Sequence, residues 1–208
     1  MAHDITLYTN PMSRGQIARW MLEEVGQPYD TVLLDYADSM KSPDYLAINP
    51  MGKVPAIVHG DQVVTECAAI CAYLADAFPA ANLAPPPGER AAYYRWLFFT
   101  AGPVESAITN MSMGFVLPEE KERMAGYGNL ETALSTLEKA ISGPQWICGE
   151  QFTAADVYVG AQVDWGLAFG TMPTSPAFTA YAERIRDRPA YKRQKGIDND
   201  LIAQMQKS

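Results

Sequence analysis

The side chains best placed to do chemistry in this 208-residue chain fall at three turns. Ser13 and Arg14 stand between an apolar run, Ile5-Thr6-Leu7-Tyr8, and a segment with helical spacing at Ile17, Trp20 and Met21. A hydroxyl and a cation at a strand-to-helix junction can face a reacting group, although serine there is also an ordinary helix cap. Glu66-Cys67 opens a second helical run through Ile70, Tyr73, Leu74 and Ala77. A helix start carries unpaired N–H groups and partial positive charge, suited to a carboxylate. An acid in that first turn also favours the helix dipole without any ligand. Lys53 is a lone cation before Val54-Pro55, and that proline opens a strand, where its missing N–H need not join a ladder.

The spacing of the cysteines and histidines supplies neither a metal-site pattern nor a redox motif. The three cysteines, Cys67, Cys71 and Cys148, form no CxxC pair and no zinc pattern. His3 and His59 complete no familiar ligand set with them. Asp156 closes the capping box Thr153-Ala-Ala-Asp156 before an apolar run, so its expected role is to start a helix.

The elements that must position these residues follow from periodicity. Residues 5–8 and 31–34 read as strands around a helix that Gly26 closes. After a polar, turn-rich stretch, Val54–Val58 and Gln62–Thr65 flank His59-Gly60-Asp61 as a hairpin, followed by a helix that stops before Pro79. The order describes a compact α/β unit over residues 1–79. Pro85-Pro86-Pro87-Gly88 makes residues 80–88 a linker. No strand pattern follows, and residues 89–208 read as all-α. Glu89–Phe115 and Glu119–Ile141 are expected as two long helices, and Val157–Phe169 as a buried central one. The fold class is thus α/β followed by all-α.

Composition narrows the partners. Apolar residues make up 48%, enough for a sizeable core. The formal charge of −8, from 16 basic and 24 acidic residues, disfavours nucleic acid and anionic lipid, which need clustered cations. No run approaches the ~18–20 apolar residues of a membrane helix. The N-terminal residues carry no signal-peptide pattern, and a reduced cytoplasmic protein is expected.

Three ordered motifs carry a family resemblance: Asn49-Pro-Met-Gly-Lys-Val-Pro-Ala-Ile57, Glu66-Cys-Ala-Ala-Ile70 at a helix start, and Thr153-Ala-Ala-Asp156. With Leu7-Tyr8…Ser13-Arg14 and the linker in register, nearly the whole chain resembles a cytosolic glutathione transferase of bacterial, serine type. The resemblance implies an N-terminal thioredoxin-like domain and a C-terminal helical domain. It implies a cis Val54-Pro55 bond, with Val54 pairing its main chain to the cysteinyl part of glutathione. Glu66 would take the γ-glutamyl ammonium, and the Cys67 position its carboxylate. The family pattern has serine where this chain has Cys67, and a thiol is the weaker donor, so that contact falls to the backbone N–H. Lys53, helped by Asn49, would meet the glycyl carboxylate.

The implied reaction joins the glutathione thiolate to a small electrophile in a homodimer, a detoxification chemistry with glutathione as cosubstrate. A thiol of pKa near 8.5 is only about 3% ionised at pH 7, and lowering it by about two units takes about 2.7 kcal/mol. Ser13 is the implied donor to the sulfur, with Arg14 adding positive field. Tyr8 is the rival donor, although it lies inside the strand and earlier than tyrosine-type members place theirs. No cysteine occupies the turn, which disfavours thiol–disulfide exchange there. Phe99, Pro103, Ser106 and Met113 are the pocket candidates on an aromatic-rich helix whose residues are mostly expected in the core. Two alternatives stand beside conjugation: a binding or interaction module on the same fold, and a glutathione-dependent isomerase or dehalogenase.

Overall fold

A computed structural model describes residues 3–143 and 145–207. The chain divides into two compact units, one built from residues 3–83 with 187–207 and the other from 84–186.

The first unit is a mixed four-stranded sheet with helices. Strands β1 (Ile5–Thr9), β2 (Asp30–Leu33), β3 (Ala56–His59) and β4 (Gln62–Thr65) lie in the order β2-β1-β3-β4. β2 runs parallel to β1, while β3 and β4 run antiparallel. Helix α1 (Gly15–Val25) makes the right-sized crossover between the parallel pair and ends at Gly26, whose φ of 73° closes the last turn. Its apolar residues Ile17, Trp20, Met21 and Leu22 are all buried. Helix α3 (Cys67–Ala77) packs on α1. β1 alternates, so Ile5 and Leu7 are buried on one face while Tyr8 on the other packs with Tyr45, Leu34, Met40 and Ala56.

The stretch read as turn-rich holds a short helix, α2 (Pro43–Ile48). Ser42 caps it by accepting from the Tyr45 N–H, and Pro43 takes the first position, where its missing N–H costs nothing. β3 begins at Ala56, two residues later than the apolar pattern starts, because Pro55 cannot donate to the ladder.

The second unit is helical throughout its named elements: α4 (Ala91–Phe99), α5 (Glu105–Ser112), α6 (Leu130–Ile141), α7 (Ala154–Phe169) and α8 (Pro176–Arg186). The helix expected over 89–115 is interrupted by a π-helical turn at Thr100–Val104 that contains Pro103, which has no N–H for the regular ladder. The helix expected over 119–141 is shorter still. Residues 119–124 form only a 3₁₀ turn, and Gly128, at φ 65°, leads into Asn129, whose side chain caps α6 through the Thr132 N–H.

α7 is buried along most of its length, as its apolar faces predict, and its capping box is formed. Asp156 sits fully buried at the centre of the cap. Its carboxylate accepts from the Thr153 N–H (2.9 Å), the Ile147 N–H (2.8 Å), the Thr153 hydroxyl (3.1 Å) and the Tyr181 hydroxyl (2.7 Å). Burial pushes the carboxyl above the usual range, and these hydrogen bonds oppose the shift. The neighbouring Cys148 thiol is pushed up to about 11, by burial first and by Asp156 second.

Helix α9 (Pro189–Met205) belongs to the first compact unit, not to the helical one in which residues 89–208 were expected together. The reason is a set of side-chain pairs with α1. Arg19 and Asp198, both almost fully buried, meet at 2.9 Å, and Gln194 donates to the other Asp198 oxygen at 2.6 Å. Arg188 grips Glu24 with two bonds of 2.6 and 2.7 Å, and Trp20 stacks edge-on against Tyr191. The two units divide between Leu83 and Ala84.

Candidate active site

The sheet register gathers the three turns at one end of the first unit. Tyr8 pairs with Ala56, and Ala56 pairs with Thr65. The turns after β1, before β3 and after β4 therefore lie at one end of the sheet, and they carry Ser13-Arg14, Val54-Pro55 and Glu66-Cys67.

The β1–α1 turn is built around Asn10, a buried polar residue. Its amide donates to the Leu34 carbonyl at 2.8 Å and its oxygen accepts from the Met12 N–H at 2.9 Å. The Ser13 hydroxyl donates to the Asn10 carbonyl at 2.6 Å and accepts from the Gly15 N–H at 2.9 Å. The Ser13 hydroxyl is thus bonded on both sides within the turn, one residue before the Arg14 cap position of α1. Gly15 is required for this packing. A Cβ there would lie 1.9 Å from Thr9 Oγ1, a collision against a buried side chain.

The Val54–Pro55 peptide is cis. The preceding loop is braced from below: Asn49 Nδ2 (2.8 Å) and the Tyr45 hydroxyl (2.5 Å) both donate to the Lys53 carbonyl. Lys41 Nζ donates to the Gly52 carbonyl at 2.8 Å, a second cation at this loop that spacing did not reveal. Gly52 has φ 57°, and a Cβ would meet Lys41 Nζ and the Met40 carbonyl at 2.8 Å each. Asn49 is spent on shaping the loop. The Lys53 side chain is exposed and, among the described residues, forms no ion pair.

Glu66 takes the cap position before α3 with φ 64° and ψ 117°, a conformation rare outside glycine. Strain of this kind costs about 1–3 kcal/mol and clusters at ligand sites. Its carboxylate is exposed and makes no capping bond. Cys67 is the first residue of α3, and its thiol donates to the Arg14 carbonyl at 3.3 Å. That contact ties the α3 start to the Ser13 turn. Tyr8, the rival donor, packs its ring 5.7 Å from that of Tyr45 within an apolar cluster.

In the second unit, the aromatic helix departs from expectation. Tyr93 and Trp96 are core, but Tyr94, Phe98 and Phe115 are exposed. Ser106 lines a cavity of about 480 Å³ with Glu105, Thr109, Asn110 and Tyr127, next to the π turn that holds Pro103. Phe99 is half-buried and Met113 exposed. Among the described residues no group of His, Cys, Asp or Glu is arranged to hold a metal, and no helix is long and apolar enough to cross a membrane.

Both units have counterparts among known proteins. Residues 3–76 match the model of the glutathione S-transferase N-terminal domain and residues 95–189 that of the C-terminal domain. The chain is 30% identical over 190 residues to glutathione S-transferase GST-4.5 of Xanthomonas campestris, covering 86% of this chain and 91% of the relative. It is 29% identical over 189 residues to glutathione S-transferase GstA of Escherichia coli O157:H7, covering 88% and 93%. The structure of a sphingomonad glutathione S-transferase complexed with glutathione superposes with a TM-score of 0.76 at 28% identity, covering 93% of this chain and 98% of that one. With both domain models matched in order, and with the thioredoxin-like sheet and helical unit that such an enzyme requires, the chain belongs to the glutathione S-transferase family, whose cosubstrate is glutathione.

Proposed function

We propose that glutathione lies across that end of the sheet in the first unit, with its thiolate held by Ser13. The observation that supports this most is the register, which puts the Ser13 turn, Val54-Pro55 and Glu66-Cys67 at one end of the sheet. Val54 offers main-chain N–H and C=O to the cysteinyl residue, as an added strand would. The Glu66 carboxylate, exposed and without a capping duty, takes the γ-glutamyl ammonium. The backbone N–H of Cys67, at the start of an 11-residue helix, takes the adjoining carboxylate. Lys53, an exposed cation on a braced loop, meets the glycyl carboxylate.

The chemistry asked of the protein is thiolate stabilisation. The Ser13 oxygen already accepts from the Gly15 N–H, so its own proton is directed away from that bond and toward an acceptor. In the free protein the acceptor is the Asn10 carbonyl; with glutathione bound it is the sulfur. Arg14, beside it, adds positive field. The thiolate then attacks a small electrophile, whose own reactivity supplies the rest of the driving force. The same reading makes the protein a cytoplasmic homodimer in detoxification.

Two results test the assignment. Ser13→Ala is expected to lower kcat by about tenfold or more while the KM for glutathione moves little, because the lost bond is made to the thiolate. Unchanged kinetics would pass the role to Arg14 or to backbone donors. Glu66→Gln is expected to weaken glutathione binding by about tenfold in calorimetry, the order of one lost charge-assisted hydrogen bond. Wild-type affinity in that variant would remove Glu66 from the site.

A further inference from the structure

We infer that Cys67 is a positioning residue for Ser13, acting through the peptide that joins Arg14 to Gly15. Both ends of that peptide are engaged. Its carbonyl, on Arg14, accepts from the Cys67 thiol at 3.3 Å and from the Ile17 N–H at 3.0 Å. Its N–H, on Gly15, donates to the Ser13 oxygen at 2.9 Å, and the Ser13 hydroxyl donates onward to the Asn10 carbonyl at 2.6 Å. The result is one unbroken series of donors: Cys67 thiol, Arg14–Gly15 peptide, Ser13 hydroxyl.

Such series polarise in one direction. A donor on the carbonyl strengthens the N–H at the other end of the same peptide, which makes the hydroxyl it serves a better donor in turn. The Cys67 thiol also fixes the plane of that peptide, and hence where the Ser13 oxygen stands. Gly15 is packed closely enough that an added Cβ would lie 1.9 Å from Thr9 Oγ1, so the turn has little room to rearrange on that side. The family pattern has serine at the Cys67 position as a contact for the γ-glutamyl carboxylate. Here the side chain is turned to the Arg14 carbonyl, and only the Cys67 backbone is left for the ligand. The start of α3, which takes the γ-glutamyl end of glutathione in this reading, is thereby coupled to the donor that serves the sulfur of the central cysteinyl residue.

This inference rests on Ser13 being the thiolate donor, and the test separates the two. Cys67→Ala, Cys67→Ser, Ser13→Ala and the Cys67→Ala/Ser13→Ala double variant are compared for the apparent pKa of bound glutathione thiol, for kcat and for KM. Cys67→Ala is expected to raise that pKa and to lower kcat by about threefold, the scale of one weak donor in a polarised series, with KM nearly unchanged. Cys67→Ser, which keeps a donor, is expected to hold the thiol pKa at or below wild type, and this variant carries the test if the alanine protein does not fold. In the Ser13→Ala background the Cys67 change is expected to have no further effect on the thiol pKa. A Cys67→Ala protein with raised KM alone, with undiminished effects in the double variant, or with wild-type values throughout would overturn the proposal. A Ser13→Ala protein whose thiol pKa stays at wild type would instead overturn the role of Ser13 itself.

Discussion

Asp198→Ala is expected to destabilise the protein by about 3–5 kcal/mol, the range for breaking a buried ion pair by removing one partner. The pair lies at the join of α1 and α9, where both side chains are at most 2% exposed. Without Asp198, the hydrogen-bond acceptors left to the Arg19 guanidinium among the described residues are the Tyr29 and Thr31 hydroxyls, at 3.2 and 3.3 Å. Gln194 loses its 2.6 Å acceptor in the same step. Urea unfolding should show the loss in the midpoint, and hydrogen exchange should show α9 opening first, because its anchorage on α1 is what has been removed. Replacing both partners together, as Arg19→Met with Asp198→Leu, should recover much of the stability, since neither charge is then buried alone. A single Asp198→Ala change costing under about 1 kcal/mol would mean that water reaches Arg19 freely.

Asp156→Ala is expected to have an effect of similar size, for a different reason. One carboxylate there satisfies two backbone N–H groups and two hydroxyls. Its removal leaves the Ile147 and Thr153 amides and the buried Tyr181 hydroxyl unpaired at the start of α7. A buried donor left without an acceptor costs about 1–3 kcal/mol, so several together reach about 3–5 kcal/mol even after relaxation. Asp156→Asn keeps one acceptor oxygen and should lose less. The check is thermal and urea unfolding of both variants, and equal losses would show that the charge, rather than the number of acceptors, matters there. Folding, not catalysis, is the role of this residue, and any surviving folded fraction should bind glutathione normally.

The elements that were legible in the amino-acid sequence are those specified locally. The hairpin around His59-Gly60-Asp61, the α1 helix closed by Gly26 and the capping box at Thr153 each depend on residues within a few positions of one another. The cis Val54-Pro55 bond was implied by a nine-residue motif rather than by any spacing rule, and the peptide is cis. What was not legible depends on partners far apart in the chain. Arg19 and Asp198 are 179 positions apart, and nothing near either marks it as buried. Periodicity described α9 as another helix of a helical half, but which surface covers a helix is decided by its side-chain partners. The break at Gly128-Asn129 was within reach of local reasoning, since a glycine followed by a good capping residue is a helix-start signal. At the site, residue types named the turns, while the roles of Asn10, Lys41 and the Arg14–Gly15 peptide emerged only from hydrogen-bond geometry.

If Ser13 serves the sulfur, this chain holds glutathione as a thiolate. An ultraviolet difference titration of the protein–glutathione complex reads thiolate absorbance directly against pH. Stabilisation by Ser13 and its neighbours predicts an apparent thiol pKa near about 6.5, two units below the ordinary value. Glutathione that binds but titrates at its free value would contradict the account, leaving a protein that holds the tripeptide without activating it.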